Sequence, residues 1–422
     1  MSERKNDFQR RLELNVDRPA YGGLSIGRYE GKVVMIKGAA LPGETVEVVI
    51  EQEKKDFSIA SVARIIKPSP HRIEPGCKLF GICGGCHLQH ASYEEQVALK
   101  ADILKDSLKR TAKIDIKLSA ALAADSPWNY RYRGQFKIEN GKIGFYREKS
   151  TDLIEIDNCP LMRDEINRSL KEVKNIIGGI NAKEIHISCG DNLIALLKIP
   201  EQRKAGTGFD RIASTFLDSG FSGLIIETGD KKIFRYGKPY LMLNLVGNDL
   251  QYTVSAMSFF QSNWELNQRV ARLIKDTLQP YKGKKVLDLY AGAGNFSLPL
   301  AGDAEVIAVE ENPYAVEDGL RNLEINRINN CEFIRSSAED FQTSDKIDIL
   351  ILDPPRPGLT QKAIKNVLTM MPEQIVYISC DPSTFSRDIR KLSEKYYVES
   401  VRMVDLFPQT FHIESLAFLK LR

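Results

Sequence analysis

Nowhere in the 422 residues does an apolar run approach the roughly 18 residues of a membrane-spanning helix. A chain that crosses a bilayer on helices is therefore excluded. Charge of one sign is also missing. Lys and Arg total 59 and Asp and Glu total 56, a formal net charge of +3. That balance neither demands nor excludes a nucleic acid, because a local basic face matters more than the total. The charged segment Met1 to Arg11 has no apolar signal region, which predicts a cytoplasmic location. Seven cysteines in such a chain do not make a disulfide framework, so any that cluster read as metal ligands or catalysts. There is no internal repeat and no low-complexity tract. What is present is ordinary for a globular chain of two or three domains, with 43% hydrophobic and 27% charged residues.

The pattern changes twice along the chain. Up to about Pro70, short apolar runs such as Val33–Ile36, Val46–Ile50 and Ile59–Ile66 alternate with turns that include Gly22-Gly23 and Leu41-Pro42-Gly43-Glu44. This spacing predicts a small OB-like β-barrel. Its Arg28, Lys32, Lys37, Lys54, Lys55, Arg64 and Lys67 suit RNA backbone, and equally a merely solvated surface. Pro68, Pro70 and Pro75 form a linker. A helix is predicted over 92–110, with Ser92 as N-cap and Glu95 in the capping-box position. Residues 130–250 read as a mixed α+β segment. From Met257 strands and helices alternate to the C-terminus, as in a Rossmann-like α/β domain.

Cys77, Cys83 and Cys86 fall in one glycine-rich stretch, and Cys159 follows in Asp157-Asn158-Cys159-Pro160. Four thiolates can hold zinc or an iron–sulfur cluster. One Cys-x-x-Cys, one cysteine upstream and one remote Cys-Pro favour the cluster over a zinc ribbon. Cys189 and Cys331 lie in apolar strand-like segments and read as core residues.

In the C-terminal half, Asp288-Leu289-Tyr290-Ala291-Gly292-Ala293-Gly294 has the strand-then-glycine form of a nucleotide site. Glu310, about 20 residues on, ends the next strand, where an acid can accept bonds from ribose hydroxyls. The third glycine of a pyrophosphate loop is replaced by Ser297. A cofactor with ribose but no pyrophosphate is favoured, and S-adenosylmethionine fits. Asp353 precedes two prolines that stiffen its backbone. Cys380 ends the strand of Ser379-Cys380-Asp381-Pro382, and Asp-Pro reads there as a break that leaves the thiol exposed for nucleophilic attack. Glu414, beside Ile413, Leu416 and Ala417, has the apolar surroundings that raise a carboxyl pKa and suit a general base. His412 reads as structural.

These residues together resemble the RNA 5-methyluridine methyltransferase family. Gly22-Gly23 through Pro70 resembles the TRAM domain. The four clustered cysteines match the family's 4Fe-4S ligands. Ser258-Phe259-Phe260-Gln261-Ser262-Asn263, Asp353-Pro354-Pro355-Arg356-Pro357-Gly358, Ser379-Cys380-Asp381-Pro382 and Phe407–Glu414 match its cofactor and catalytic motifs. Asp381 and Phe385 depart from the commoner Asn and Leu. The resemblance implies a TRAM barrel over 1–68, a central α+β iron–sulfur domain over 69–256 and a class I methyltransferase domain over 257–422. It implies Cys380 as nucleophile toward carbon 6 of uracil and Glu414 as the base. Gln261, Tyr290, Asn295, Glu310 and Asp353 would line the cofactor and target-base site, Phe259 would stack on the extruded base, and Arg131 and Arg133 would hold the target loop. The expected substrate is 23S rRNA, with the ribothymidine position of tRNA as the alternative, and the expected state is monomeric. A non-catalytic RNA-binding protein would need neither Cys380 nor Glu414. An exocyclic N-methyltransferase would carry an aromatic residue where Arg356 stands.

Overall fold

The computed structural model describes residues 10–200, 207–247 and 249–422. Five strands, Arg11–Ala20, Leu24–Tyr29, Lys32–Lys37, Thr45–Glu53 and Phe57–Lys67, close into a barrel in the order first, second, third, fifth, fourth. Alternation builds it. Leu12, Leu14 and Val16 face inward while Arg11, Glu13 and Asn15 face out. Val34, Ile36, Val46, Val48 and Ala60 complete its core. Glu44, fully buried, ties the barrel to the linker. It accepts from the amides of Leu41 at 2.8 Å and Ser69 at 3.1 Å and from the Arg72 guanidinium at 2.6 Å. Residues 1–9 of the barrel segment fall outside the described part.

The middle of the chain forms a seven-stranded sheet. In spatial order it runs Ile233–Gly237, Gly223–Thr228, Leu193–Ile199, Glu184–Cys189, Arg133–Glu139, Lys142–Tyr146 and Leu153–Glu155. Helix Asp164–Ile177 buries Ile166, Leu170, Val173 and Ile177 against it.

The C-terminal sheet has eight strands. In spatial order they are Cys331–Arg335, Glu305–Glu310, Lys285–Leu289, Ile349–Leu352, Gln374–Ser379, Glu414–Leu421, Tyr396–Val404 and Ser119–Leu122. The first five are parallel, and Glu414–Leu421 runs antiparallel to both neighbours. Continuous apolar runs such as Ile349–Leu352 make strands buried on both faces. Two stretches read from sequence as central belong to this half. Ser119–Leu122 is its edge strand. The hairpin Tyr240–Leu245 and Leu250–Ser255 buries Leu241, Leu243, Tyr252 and Val254 in the same core as Val270 and Ala308. A division at residue 256 therefore cuts through one packed core.

The helix expected over 92–110 spans Tyr93–Ser107, and the Ser92 hydroxyl accepts from the Glu95 amide at 3.3 Å. It continues into a wider π turn, Leu108–Ala112, which ends at Lys113 in the left-handed region. Its buried face carries Gln96, Leu99, Lys100 and Leu104.

Candidate active site

Three neighbouring strands of the C-terminal sheet end at one place. Asp353 follows Ile349–Leu352, Cys380 follows Gln374–Ser379, and Glu414 begins Glu414–Leu421. The antiparallel register pairs Ser379 with Ser415, the residues that adjoin Cys380 and Glu414 in sequence. This is the carboxyl edge of the parallel strands, where α/β sheets bind ligands. A cleft of about 550 Å³ opens there, within the range of small-molecule sites. Its walls include Phe259, Gln261, Tyr290, Asn295, Glu310, Asp353, Cys380 and Glu414, with Arg356 and His412 beside them.

The glycine turn shapes one side. Tyr290 and Gly292 take positive φ, and nothing lies within 4 Å of where a Gly292 Cβ would point. At Gly294 a Cβ would meet the Leu298 side chain at 2.9 Å. Glu310 clamps the turn, accepting from the Gly292 amide at 2.9 Å and the Asn312 amide at 2.7 Å. Asn295 exchanges two amide hydrogen bonds with Asn267, at 2.7 and 2.9 Å, which fixes its side chain. Across the cleft, Asp318 holds the strap 255–263 by accepting from the Ser255 amide at 2.8 Å and the Ser258 hydroxyl at 2.6 Å. The strap leaves Phe259 66% exposed, an unusual state for a phenyl ring.

Burial and mutual repulsion shape the acid–base character. Burial, then the charge of Asp353, raises Glu414 well above its ordinary value. Burial pushes Asp353 to about 7. Burial, then Glu414 and Asp353, pushes the Cys380 thiol to about 12, and Arg356 works against the rise. A strand-end thiol and two buried carboxyl groups thus share one cleft.

The four clustered cysteines also come together. Cys77, Cys83, Cys86 and Cys159 line a second cavity of about 140 Å³, walled mostly by apolar side chains such as Phe80, Phe145 and Met162. Burial pushes Cys86 to about 12; Gln89 opposes this and the other three thiols add to it. The Gly85 amide faces the Cys83 sulfur, and the amides of Leu161 and Met162 face that of Cys159. Among the described residues no group of three or more His, Cys, Asp or Glu side chains is arranged to hold a metal ion.

A model of the tRNA (uracil-5-)-methyltransferase family matches residues 213–422, and one of the TRAM domain matches residues 9–63. The 23S rRNA (uracil(1939)-C(5))-methyltransferase RlmD of Shewanella piezotolerans is 31% identical over 438 residues, covering 99% of this chain and 97% of its own. The chain belongs to the RNA (uracil-5-)-methyltransferase family. An uncharacterised RNA methyltransferase of Aquifex aeolicus is 32% identical, with 97% and 99% of the two chains covered. Among solved structures, the Pyrococcus abyssi tRNA (uracil-54, C5)-methyltransferase in complex with S-adenosyl-L-homocysteine superposes with a TM-score of 0.75 at 25% identity, over 96% of this chain and 99% of that one. The class I methyltransferase fold and the N-terminal TRAM barrel expected from the motifs are thus both present.

Against this family frame, two sequence-derived site residues stand elsewhere. Arg131 lines the thiol cavity. Arg133 is held inside the protein, donating to the Ser258 carbonyl at 3.2 Å and facing His186 at 3.2 Å, so it braces the strap. The Asp-Pro read as a break starts a helix. Asp381 caps Pro382–Leu392, accepting from the amides of Ser383 and Thr384 at 2.8 and 2.9 Å. Asp before Pro is an N-cap and N1 signal, and could have been read so. Cys189 is buried and Cys331 half-buried, both in apolar cores. His412, read as structural, faces the cleft beside Arg356, and burial followed by Arg356 lowers it to about 4.

Proposed function

We propose that this chain transfers a methyl group from S-adenosylmethionine to carbon 5 of one uridine in RNA, through a covalent bond between Cys380 and carbon 6. The meeting of Cys380, Asp353 and Glu414 on the walls of one cleft supports this reading. Carbon 5 of uracil is a weak nucleophile until carbon 6 is saturated. The Cys380 thiol gives its proton to solvent, its thiolate adds at carbon 6, and the electron pair of the carbon 5–carbon 6 double bond leaves carbon 5 enolate-like. S-adenosylmethionine supplies an electrophilic methyl group on a cationic sulfur, and carbon 5 takes it. Glu414, which burial makes a stronger base than an ordinary carboxylate, removes the remaining carbon 5 proton in its ionised form. The carbon 6–sulfur bond then breaks and its electron pair returns to sulfur. Gln261, Tyr290, Asn295 and Glu310 bind the cofactor, and Asp353 lies between cofactor and base. Phe259 stacks on a uracil that has left its own helix, as chemistry on a base requires. The substrate reading is 23S rRNA, supported by the full-length likeness to the Shewanella enzyme. The tRNA alternative is supported by the Pyrococcus structure.

Radiolabelled methyl transfer to RNA tests the mechanism. Cys380→Ala should lose activity by at least about 10³-fold while titration with S-adenosylhomocysteine is unchanged. Glu414→Gln should accumulate a methylated protein–RNA species that survives denaturing electrophoresis. Normal turnover by either variant removes the covalent reading.

The thiol cavity is read as the seat of an iron–sulfur group. Four cysteines line it, amides face the sulfurs of Cys83 and Cys159, and Arg131 stands at its wall. Cys77, Cys83, Cys86 and Cys159 would be its ligands. Methyl transfer consumes no electron, so the group would serve the structure of the central segment. Protein purified without oxygen should contain iron and sulfide in near-equal amounts. Stoichiometric zinc without sulfide would replace this assignment.

A further inference from the structure

The base Glu414 is presented by the loop 405–413, and most of the hydrogen bonds that anchor this loop come from the chain segment 87–130. The Asp405 amide donates to the Leu122 carbonyl at 2.9 Å. The buried Lys100 ammonium donates to Asp405 at 2.6 Å and to the Phe407 carbonyl at 2.9 Å. The Tyr130 hydroxyl donates to the Pro408 carbonyl at 2.9 Å. At Gln409 the anchoring is densest. Its amide donates to Gln96 Oε1 at 2.9 Å, and its side-chain oxygen accepts from Gln96 Nε2 at 2.9 Å. Its carbonyl accepts from the amides of His87 and Leu88, at 2.8 and 3.0 Å, just beyond Cys86. Gln409 takes a positive φ, a conformation that a side-chain-bearing residue adopts at a cost and keeps only where its surroundings hold it.

From these bonds we propose that Gln96 and Tyr130 are positioning residues for proton removal from carbon 5. The inference rests on the reading of Glu414 as the base. The Glu414 backbone is paired with Val404, so its carbon α is fixed by the sheet. The direction from which the chain enters the strand is set by the loop. Gln96 is fully buried, and an apolar replacement would strand the Gln409 amide away from water. The loop must then shift to find another partner, and the carboxyl shifts with it. The nucleophile and the glycine turn belong to other strands and stay in place. Addition and methyl transfer should therefore survive a change that slows proton removal.

The test uses full-length protein and RNA tritiated at carbon 5 of uridine. Gln96→Met should slow tritium release by about ten- to a hundred-fold, the cost of a small misplacement of a reacting group. Methyl transfer in the first turnover should keep its rate. The methylated covalent species should accumulate, and the midpoint for S-adenosylhomocysteine should stay within about two-fold. Gln96→Glu keeps the acceptor for the Gln409 amide but loses the donors to the Ala91 carbonyl and the Gln409 side chain, and should recover part of the release rate. Tyr130→Phe removes a single hydroxyl, and should show the same defect in milder form even if Gln96→Met fails to fold. The inference is overturned if tritium release and methyl transfer fall together, or if neither changes. Failure of the wild-type protein to form any Cys380 adduct would instead remove the proposed function beneath it.

Discussion

Asp353 occupies a position that costs stability. Burial pushes its carboxyl from the ordinary 3.8 to about 7, so the fold retains a proton that the unfolded chain gives up. The sign follows. Below the unfolded value both states are protonated and the fold bears no penalty. As pH rises toward about 7 the unfolded chain gains by ionising, and stability falls. Asp353→Asn should therefore raise the unfolding free energy at about pH 8 by up to about 4 kcal/mol, and with it the melting temperature, and change little at about pH 3. Thermal unfolding at the two pH values decides it; equal stabilisation at both would show that ionisation is not the cause. The same burial serves the chemistry. In the proposed mechanism it makes Glu414 the stronger base, and it holds the Cys380 thiol protonated in the free protein.

At the level of elements, the strands of the active half were legible because burial on both faces writes itself as unbroken runs such as Ile349–Leu352 and Ile375–Ile378. The glycine turn was legible because positive φ at Gly292 and close packing at Gly294 demand that residue. Helix Pro382–Leu392 was missed by reading Asp381-Pro382 as a stop when the pair also begins a helix. Arg133 was misplaced for a different reason. A charged residue in a Tyr-Arg-Tyr-Arg run resembles an RNA contact, and only the fold shows that its guanidinium turns inward to the Ser258 carbonyl. The anchors of the base loop carried no local signal at all. Gln96 and Gln409, or Lys100 and Asp405, are more than 300 positions apart, and each looks solvent-facing by residue type. Pairs of this kind are specified by the whole fold rather than by any motif.

Across the whole molecule, the barrel stands closer to the chemistry than its OB-like sequence suggests. At the tip of its first hairpin, Tyr21 lies near the Asp381 carboxylate, next to Cys380, and packs edge-on against Phe411 at 5.9 Å. Arg18 pairs with Asp106 of helix Tyr93–Ser107 at 3.1 Å. Affinity and positioning are therefore separable within one barrel. Lys54, Lys55 and Lys67 stand exposed, whereas Lys37 and Arg64 are engaged by Glu51 and Glu47. Exposed cations that touch phosphates release counterions, and each lost contact on a single strand should lower the slope of log affinity against log salt by about 0.7. Replacing Lys54, Lys55 and Lys67 together with Gln should weaken RNA binding and flatten that slope, with S-adenosylhomocysteine affinity unmoved. Tyr21→Phe removes no charge, so it should leave the slope alone and lower kcat by loosening the turn at Cys380. Deleting residues 1–68 should show both effects at once. A salt slope unchanged in the triple variant would mean that this face of the barrel does not meet RNA, and that the barrel serves the site through Tyr21 alone.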